Sequence, residues 1–350
     1  MTETGGSAVG TAAGQDAADA PAVLGKLLGG YLLGQAVMVA AELGIADHLA
    51  AGSVPVAALA PAVGADPDAL YRLLRALAGE GVFTEAAPRA FALTPLAEPL
   101  RTDHPRSVRA RARLFRQEWV WRPWGHLLEA VREGGVAFER VYGVPFFAYL
   151  GAHPDAAAVF DAAMTGGTGS RAGLAAAYDF APLGTVVDVG GGQGGLLAAV
   201  LRAHPHLRGV LFDQPQVVAG AAPVLRAAGV ADRCEVVGGD FFAAVPAGGD
   251  AYLLSQILHD WDDARATALL RVLHQAARPG ARVVAVERVL PPGDAPHPAK
   301  LGDLNMLVLA GGRERTEAEF GALFAGASFE LTRIVPLPEG AWSAVEGTRR

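Results

Sequence analysis

Between Pro21 and about Leu100 the apolar residues recur at helical spacing: Ala36, Val39, Ala40, Leu43 and Ile45 share one face, and Gly44 is placed to end that helix. The stretch VPVAALAPAVGADPDALYRLLRALAGEGVF predicts two shorter helices. In the second, Asp66-Pro67 offers an N-cap with proline at the first helical position, and Leu70, Leu73, Leu74 and Leu77 form the apolar stripe. Phe83-Thr84 and Phe91-Ala92-Leu93-Thr94 flank a turn at Ala87-Pro88, which predicts a β-hairpin. Residues 101–165 are helical and richer in aromatic side chains. From about Arg171 the period changes. Strand-like runs at 185–189, 209–213, 234–237, 251–255 and 281–287 alternate with helical segments at 194–203, 217–228 and 262–277. That alternation is the mark of an α/β chain, a parallel sheet with helices on both faces. The last segment, FELTRIVPLPEGAWSAVEG, predicts an antiparallel pair that closes the sheet.

Helix, helix, hairpin is a winged-helix arrangement. The functional reading of such a module is DNA binding, and the plainer one is a scaffold or dimerisation unit. Its candidate recognition helix sets Arg72 and Arg75 against Asp66, Asp68 and Glu80, and a phosphate-binding face has to be basic. The whole chain points the same way: 350 residues carry a formal charge of −7, so neither nucleic acid nor an anionic membrane is the expected partner. With 51% hydrophobic residues the length suffices for two domains. The single cysteine, Cys234, can form no internal disulfide, and the reducing cytoplasm is the expected compartment. Residues 1–20 are acidic, lack the basic and apolar regions of a signal peptide, and read as a disordered tail. No uninterrupted apolar run reaches about 18 residues, so no transmembrane helix is expected. The expected division is a tail over 1–20, the winged-helix domain over 21–105, a helical linker over 106–170 and the α/β domain over 171–350. The arginines at 101, 106, 109, 111, 113 and 116 read as a solvated or subunit-facing surface.

The candidate chemistry lies at the carboxyl ends of the predicted strands, where open α/β sheets bind ligands. Asp188-Val-Gly190-Gly191-Gly192-Gln-Gly194-Gly195 follows the first strand and opens a helix. Its glycines allow a tight turn and a close backbone approach, and Gly190, Gly192 and Gly195 also satisfy the dinucleotide pattern GxGxxG. Asp213 ends the second strand, where a carboxylate grips ribose hydroxyls. Asp240-Phe241 ends the third, suited to an adenine amino group and ring face. Any one of these acids is equally a helix cap, whereas three in register describe an adenosine site. His259, in LLSQILHDWDD, falls beyond the fourth strand on the same edge. Glu287 ends the fifth strand, and Glu314 follows Gly311-Gly312 and is expected to begin the helix GRERTEAEF. A histidine with two glutamates nearby is the pattern of an oriented general base. Trp119, Trp121 and Trp124, clustered with Phe146, Phe147, Tyr149 and Phe160, read as core packing or as the wall of a pocket for a flat ligand.

Taken in order, VVDVGGGQGG, LFDQP, GGDFF, HDWDD, VVAVERVLP and GGRERTEAEF resemble the small-molecule O-methyltransferases of the plant caffeate type, and more closely the bacterial branch that tailors aromatic natural products. The resemblance covers nearly everything after residue 21. It implies a Rossmann-like class I methyltransferase sheet preceded by an all-helical winged-helix dimerisation domain, hence a homodimer. It implies S-adenosylmethionine as cofactor and no metal. By position, Gly190 and Gly192 approach the cofactor, Asp213 holds its ribose, Asp240 and Phe241 its adenine, and Trp261 packs near the base. Ser255 stands where plant members carry a cofactor-binding lysine. His259 matches the catalytic base, framed by Glu287 and Glu314, while Met164 and Met306 match acceptor-lining positions beside Trp121 and Phe160. Gln214 replaces the usual leucine, and the short loop Leu309-Ala310-Gly311 lacks the plant substrate-binding asparagine, so caffeate-like acceptors are not implied. The expected reaction is methylation of a phenolic hydroxyl on an aromatic, polycyclic polyketide-type product. The alternative is a relative that binds the cofactor and performs decarboxylation, hydroxylation or a pericyclic reaction. A nicotinamide-dependent dehydrogenase would leave Asp240-Phe241 and His259-Asp260-Trp261 without a part.

Overall fold

The computed structural model describes residues 9–166, 169–338 and 341–350, with side chains over 19–164, 173–338 and 341–350. Two compact units divide the chain, Met1–Arg116 and Gln117–Arg350. The boundary falls eleven residues beyond the expected 105, because the arginine-rich helix of 109–116 packs on the first unit.

In the first unit α1 runs from Val9 to Glu42. Residues 1–8 lie outside the described residues, but the tail expected over 1–20 is helical from Val9 on. Alanine-rich composition explains the difference: it favours helix without giving any amphipathic signal. Within Asp19–Glu42 an 18-residue window has a mean hydropathy of 1.5, so by length and composition alone this stretch is apolar enough to cross a membrane although charged and polar residues interrupt it. Gly44 (φ 65°) turns the chain after α1. Strand β1 (Val54–Pro55) leads to α2 (Val56–Ala62) and α3 (Pro67–Gly79). Asp66 caps α3, its carboxylate accepting from the amides of Asp68 and Ala69, and Leu70, Leu74 and Leu77 are buried. Strands β2 (Phe83–Ala87) and β3 (Ala90–Leu93) form the hairpin, and β1 joins it in the antiparallel order β1-β3-β2. Helix α4 (Arg109–Arg116) ends the unit. Three of its arginines make ion pairs within the unit while Arg111 stays exposed: Arg109 pairs with Asp47 at 3.0 Å, and Arg113 and Arg116 both pair with Glu42 at 3.2 Å.

The second unit opens with short helices, among them α5 (Phe146–Ala152) and α6 (Pro154–Gly166). The sheet follows: β4 (Thr185–Val189), β5 (Arg208–Asp213), β6 (Cys234–Gly238), β7 (Ala251–Ser255) and β8 (Arg282–Arg288) are parallel, and β9 (Phe329–Pro336) and β10 (Trp342–Arg349) are antiparallel. The order is β6-β5-β4-β7-β8-β10-β9. Helices α7 (Gly195–Ala203), α8 (Asp263–Ala276), α9 (Pro298–Leu309) and α10 (Glu317–Ala325) complete the unit. The pleat sends alternate residues to opposite faces. Val186, Leu211 and Val284 pack with Leu197 and Leu201 of α7, whereas Val187, Tyr252 and Val283 pack with Leu269 and Leu273 of α8 and Phe320 and Phe324 of α10. Both faces are covered, so strand ends rather than strand faces are left to bind a ligand.

Candidate active site

The register of β4, β5 and β7 places Val189, Asp213 and Ser255 on one edge. The chain leaves β4 through Gly190 (φ 70°) and Gly192 (φ 60°), conformations that favour glycine. A Cβ at Gly190 would run into the Ile257 side chain, so glycine there allows a close approach to that residue. The Gly192 amide donates to Asp213 Oδ2 at 2.8 Å and the Gln214 amide to Oδ1 at 2.6 Å. Burial pushes the Asp213 carboxyl up, and these two donors oppose it. Burial and the charge of Asp213 push the Asp161 carboxyl of α6 up, and no motif in the sequence marked this residue.

Asp240 accepts from the Phe242 amide at 2.8 Å, which orients its carboxylate at the end of β6. Phe241 and Phe242 meet the Trp261 ring edge-on, at 6.1 and 4.8 Å between centroids. Phe147 stacks on Trp261 at 5.6 Å, and Phe160 meets Phe146 and Phe147 edge-on. Thus the aromatics that follow β6 and β7 and the helical aromatic cluster form one continuous set. Trp119 joins that cluster, 5.9 Å from Phe146, whereas Trp121 is 46% exposed and outside it. Met164 lies one helical turn after Phe160 on α6, and Met306 lies on α9, both half-buried.

His259 occupies a short turn, Leu258–Asp260, directly after β7. Its Nδ1 is 2.9 Å from Glu287 Oε2 and 3.9 Å from Glu314 Oε2. Glu287 is wholly buried, and its other oxygen accepts from the amides of Ile257 (3.1 Å) and Leu258 (2.8 Å). One carboxylate therefore holds both the ring and the backbone that carries it. Asp260 Oδ1 is 3.5 Å from Nε2, a neighbour that reading His259 and the two glutamates alone left out. Burial works against a charged imidazole here, but Glu287 and Asp260 outweigh it and raise its pKa to about 10. Burial likewise raises Asp260 and Glu314 to about 7, with the His259 charge opposing it. Glu314 does not begin a helix as expected. Thr316 and Glu319 make a capping box, α10 starts at Glu317, and Glu314 stays in the preceding loop. His259 Nδ1, Glu287 Oε2 and Glu314 Oε2 lie within 4.8 Å of one another, a donor set that a divalent cation also accepts.

Among the described residues, the buried Ser255 Oγ and Trp261 Nε1 on this edge have no hydrogen-bond partner. A ligand that brings donors and acceptors to them relieves that cost. Together with the Gly190 approach and the oriented Asp213 and Asp240, they fit S-adenosylmethionine. Such a sheet, with this glycine turn and these acids, defines a class I methyltransferase.

Comparison with known proteins agrees. Residues 124–330 match the O-methyltransferase domain family and residues 26–103 the O-methyltransferase dimerisation domain, and the chain belongs to this family of S-adenosylmethionine-dependent enzymes. It is 46% identical over 319 residues to a phenazine O-methyltransferase of Lysobacter antibioticus, covering 91% of this chain and 93% of that one. Among solved structures, LaPhzM superposes with a TM-score of 0.89 at 45% identity, covering 94% of this chain and 99% of the other. An O-methyltransferase from neocarzinostatin biosynthesis, solved with S-adenosylmethionine and 2-hydroxy-5-methyl naphthoic acid, does so with 0.78 at 38% identity, covering 91% and 96%.

Proposed function

We propose that this enzyme methylates a phenolic hydroxyl on a planar, multi-ring aromatic natural product, with His259 as the base. The observation that carries the reading is the imidazole held between Glu287 and Asp260, on the edge that also bears Trp261 and its stacked Phe147. The relatives named for a phenazine and a naphthoic acid support a fused-ring acceptor. Phe147, Phe160, Met164 and Met306 would line its pocket.

The cofactor, when bound, supplies a methyl group already activated as a sulfonium. The chain has to position the acceptor and take its proton. A phenol of pKa ~10 is ionised to about one part in a thousand at pH 7, a deficit of roughly 4 kcal/mol. A positioned histidine contributes about 10²–10⁴-fold, and alignment of the reacting groups roughly 7–11 kcal/mol, so positioning is the larger effect. The carboxylates around His259 match its basicity to a phenol, which makes the proton transfer nearly level. They also keep the imidazole charged at neutral pH in the free enzyme, so it serves as base once that proton has left to solvent, which the positive charge of a bound sulfonium favours.

Replacing His259 by alanine is expected to lower kcat at least tenfold on an ordinary phenol. Turnover close to wild type across pH 6–9 would falsify the base role, while S-adenosylhomocysteine formed in step with a methylated product tests methyl transfer itself. We also propose a homodimer through the first unit, acting in the cytoplasm. The exposed Leu24, Leu27, Leu28, Tyr31 and Leu32 of α1 are the apolar face that a second copy would cover, and the dimerisation-domain match supports this over a membrane span.

A further inference from the structure

We propose that Arg315 is a positioning residue for the base, clamping the turn that carries His259 and Trp261. Arg315 is 1% exposed, and no motif assigned it a task. Its Nη1 donates to the Leu258 carbonyl at 2.8 Å and its Nη2 to the Trp261 carbonyl at 2.8 Å. Its Nε donates to Asp263 Oδ1 at 2.9 Å. The same loop reaches the peptide between them: the Arg313 amide donates to the His259 carbonyl at 2.8 Å. That approach needs Gly312, where a Cβ would overlap the His259 carbonyl oxygen. The loop backbone is fixed in turn, since the Leu290 amide, just past β8, donates to the Arg315 carbonyl at 2.9 Å.

A guanidinium this deeply buried is costly until it finds partners. Its one carboxylate partner, Asp263, is 60% exposed and offsets little of that cost. What satisfies Arg315 is the pair of carbonyls three residues apart on one turn. A rigid planar fork spans both at once, which a lysine ammonium does not. With Glu287 gripping the amides of Ile257 and Leu258 on the other side, the turn is held from two directions. Loss of the clamp frees the turn to rotate and draws Nδ1 away from Glu287, and a misplacement of about 1 Å costs on the order of 10²-fold.

This inference rests on the reading of His259 as base, and the test separates the two. Arg315→Lys, His259→Ala and wild type are assayed on phenols of graded acidity, from an ordinary phenol to one fully ionised at the assay pH. Arg315→Lys is expected to lose about 10–100-fold in kcat on the ordinary phenol and less than about threefold on the ionised one, with acceptor KM little changed. An equal loss on both phenols, or none, overturns the positioning role. If His259→Ala loses equally on both phenols, the base reading fails instead. The ring ¹⁵N shifts of His259 then decide independently of turnover: displaced in Arg315→Lys if the clamp sets the ring, unchanged if it does not. Should Arg315→Lys not fold, Asp263→Asn removes the orienting partner at an exposed position. It is expected to cost about two- to fivefold on the ordinary phenol alone, and a uniform effect or none overturns the proposal.

Discussion

His259 has three carboxylates within 4 Å, from Glu287, Asp260 and Glu314, and its charge state follows from them. With its pKa raised to about 10, the imidazole keeps its proton in the cofactor-free protein. Ring ¹⁵N spectra at pH 8 are expected to show both nitrogens protonated; a neutral tautomer there refutes the description. The stability consequence has a definite sign. A histidine whose folded pKa lies above its unfolded value of about 6.5 stabilises fully below that pH and loses the contribution as pH rises toward 10. The Tm gap between wild type and His259→Ala should therefore narrow between pH 7 and pH 10. Glu287→Gln leaves the Ile257 and Leu258 amides an acceptor but removes the charge nearest Nδ1. Its expected result is an imidazole pKa well below about 10 and at least a tenfold loss in kcat on an ordinary phenol, checked by titration and by initial rates.

At the scale of elements, Thr316→Ala removes the capping box of α10 and is expected to cost about 1 kcal/mol, read as a shifted denaturant midpoint. That box also shows where the sequence was legible and where it was misread. Capping and turn chemistry leave local marks: Asp66-Pro67 starts α3 as expected, and the strands at 185–189 and 251–255 keep their predicted limits. Thr316-x-x-Glu319 was an equally local mark, but attention to Glu314 drew the helix start too early. The histidine, both glutamates and the adenosine acids stood out because they sit at strand ends, a position the α/β alternation specifies. Asp161 and Arg315 did not. Their roles come from neighbours brought close by tertiary packing, and the partners of Arg315 lie 54 and 57 residues away. Trp119 and Trp121 differ only in the side of one helical turn, which three clustered tryptophans could not resolve.

For the whole molecule, the apolar side of α1 ties stability to concentration. Leu27 and Leu28 are 70% and 79% exposed in the single chain. If a second copy covers them, Leu27→Asp with Leu28→Asp should convert a dimer to a monomer in sedimentation velocity and remove any dependence of Tm on protein concentration. A dimer that survives both substitutions places the interface elsewhere.

The Arg315 clamp also bears on the order in which the chain acquires its site. The cofactor side closes early along the sequence, since Gly192 and Asp213 meet across 21 residues, whereas the base side waits for a loop 57 residues after Leu258. Long closures form late because their entropy must be met before the contact rewards it. A folding chain should thus acquire the turn at Gly192 before the turn that carries His259. In pulsed hydrogen exchange the Gly192 amide would be protected ahead of the Arg313 amide.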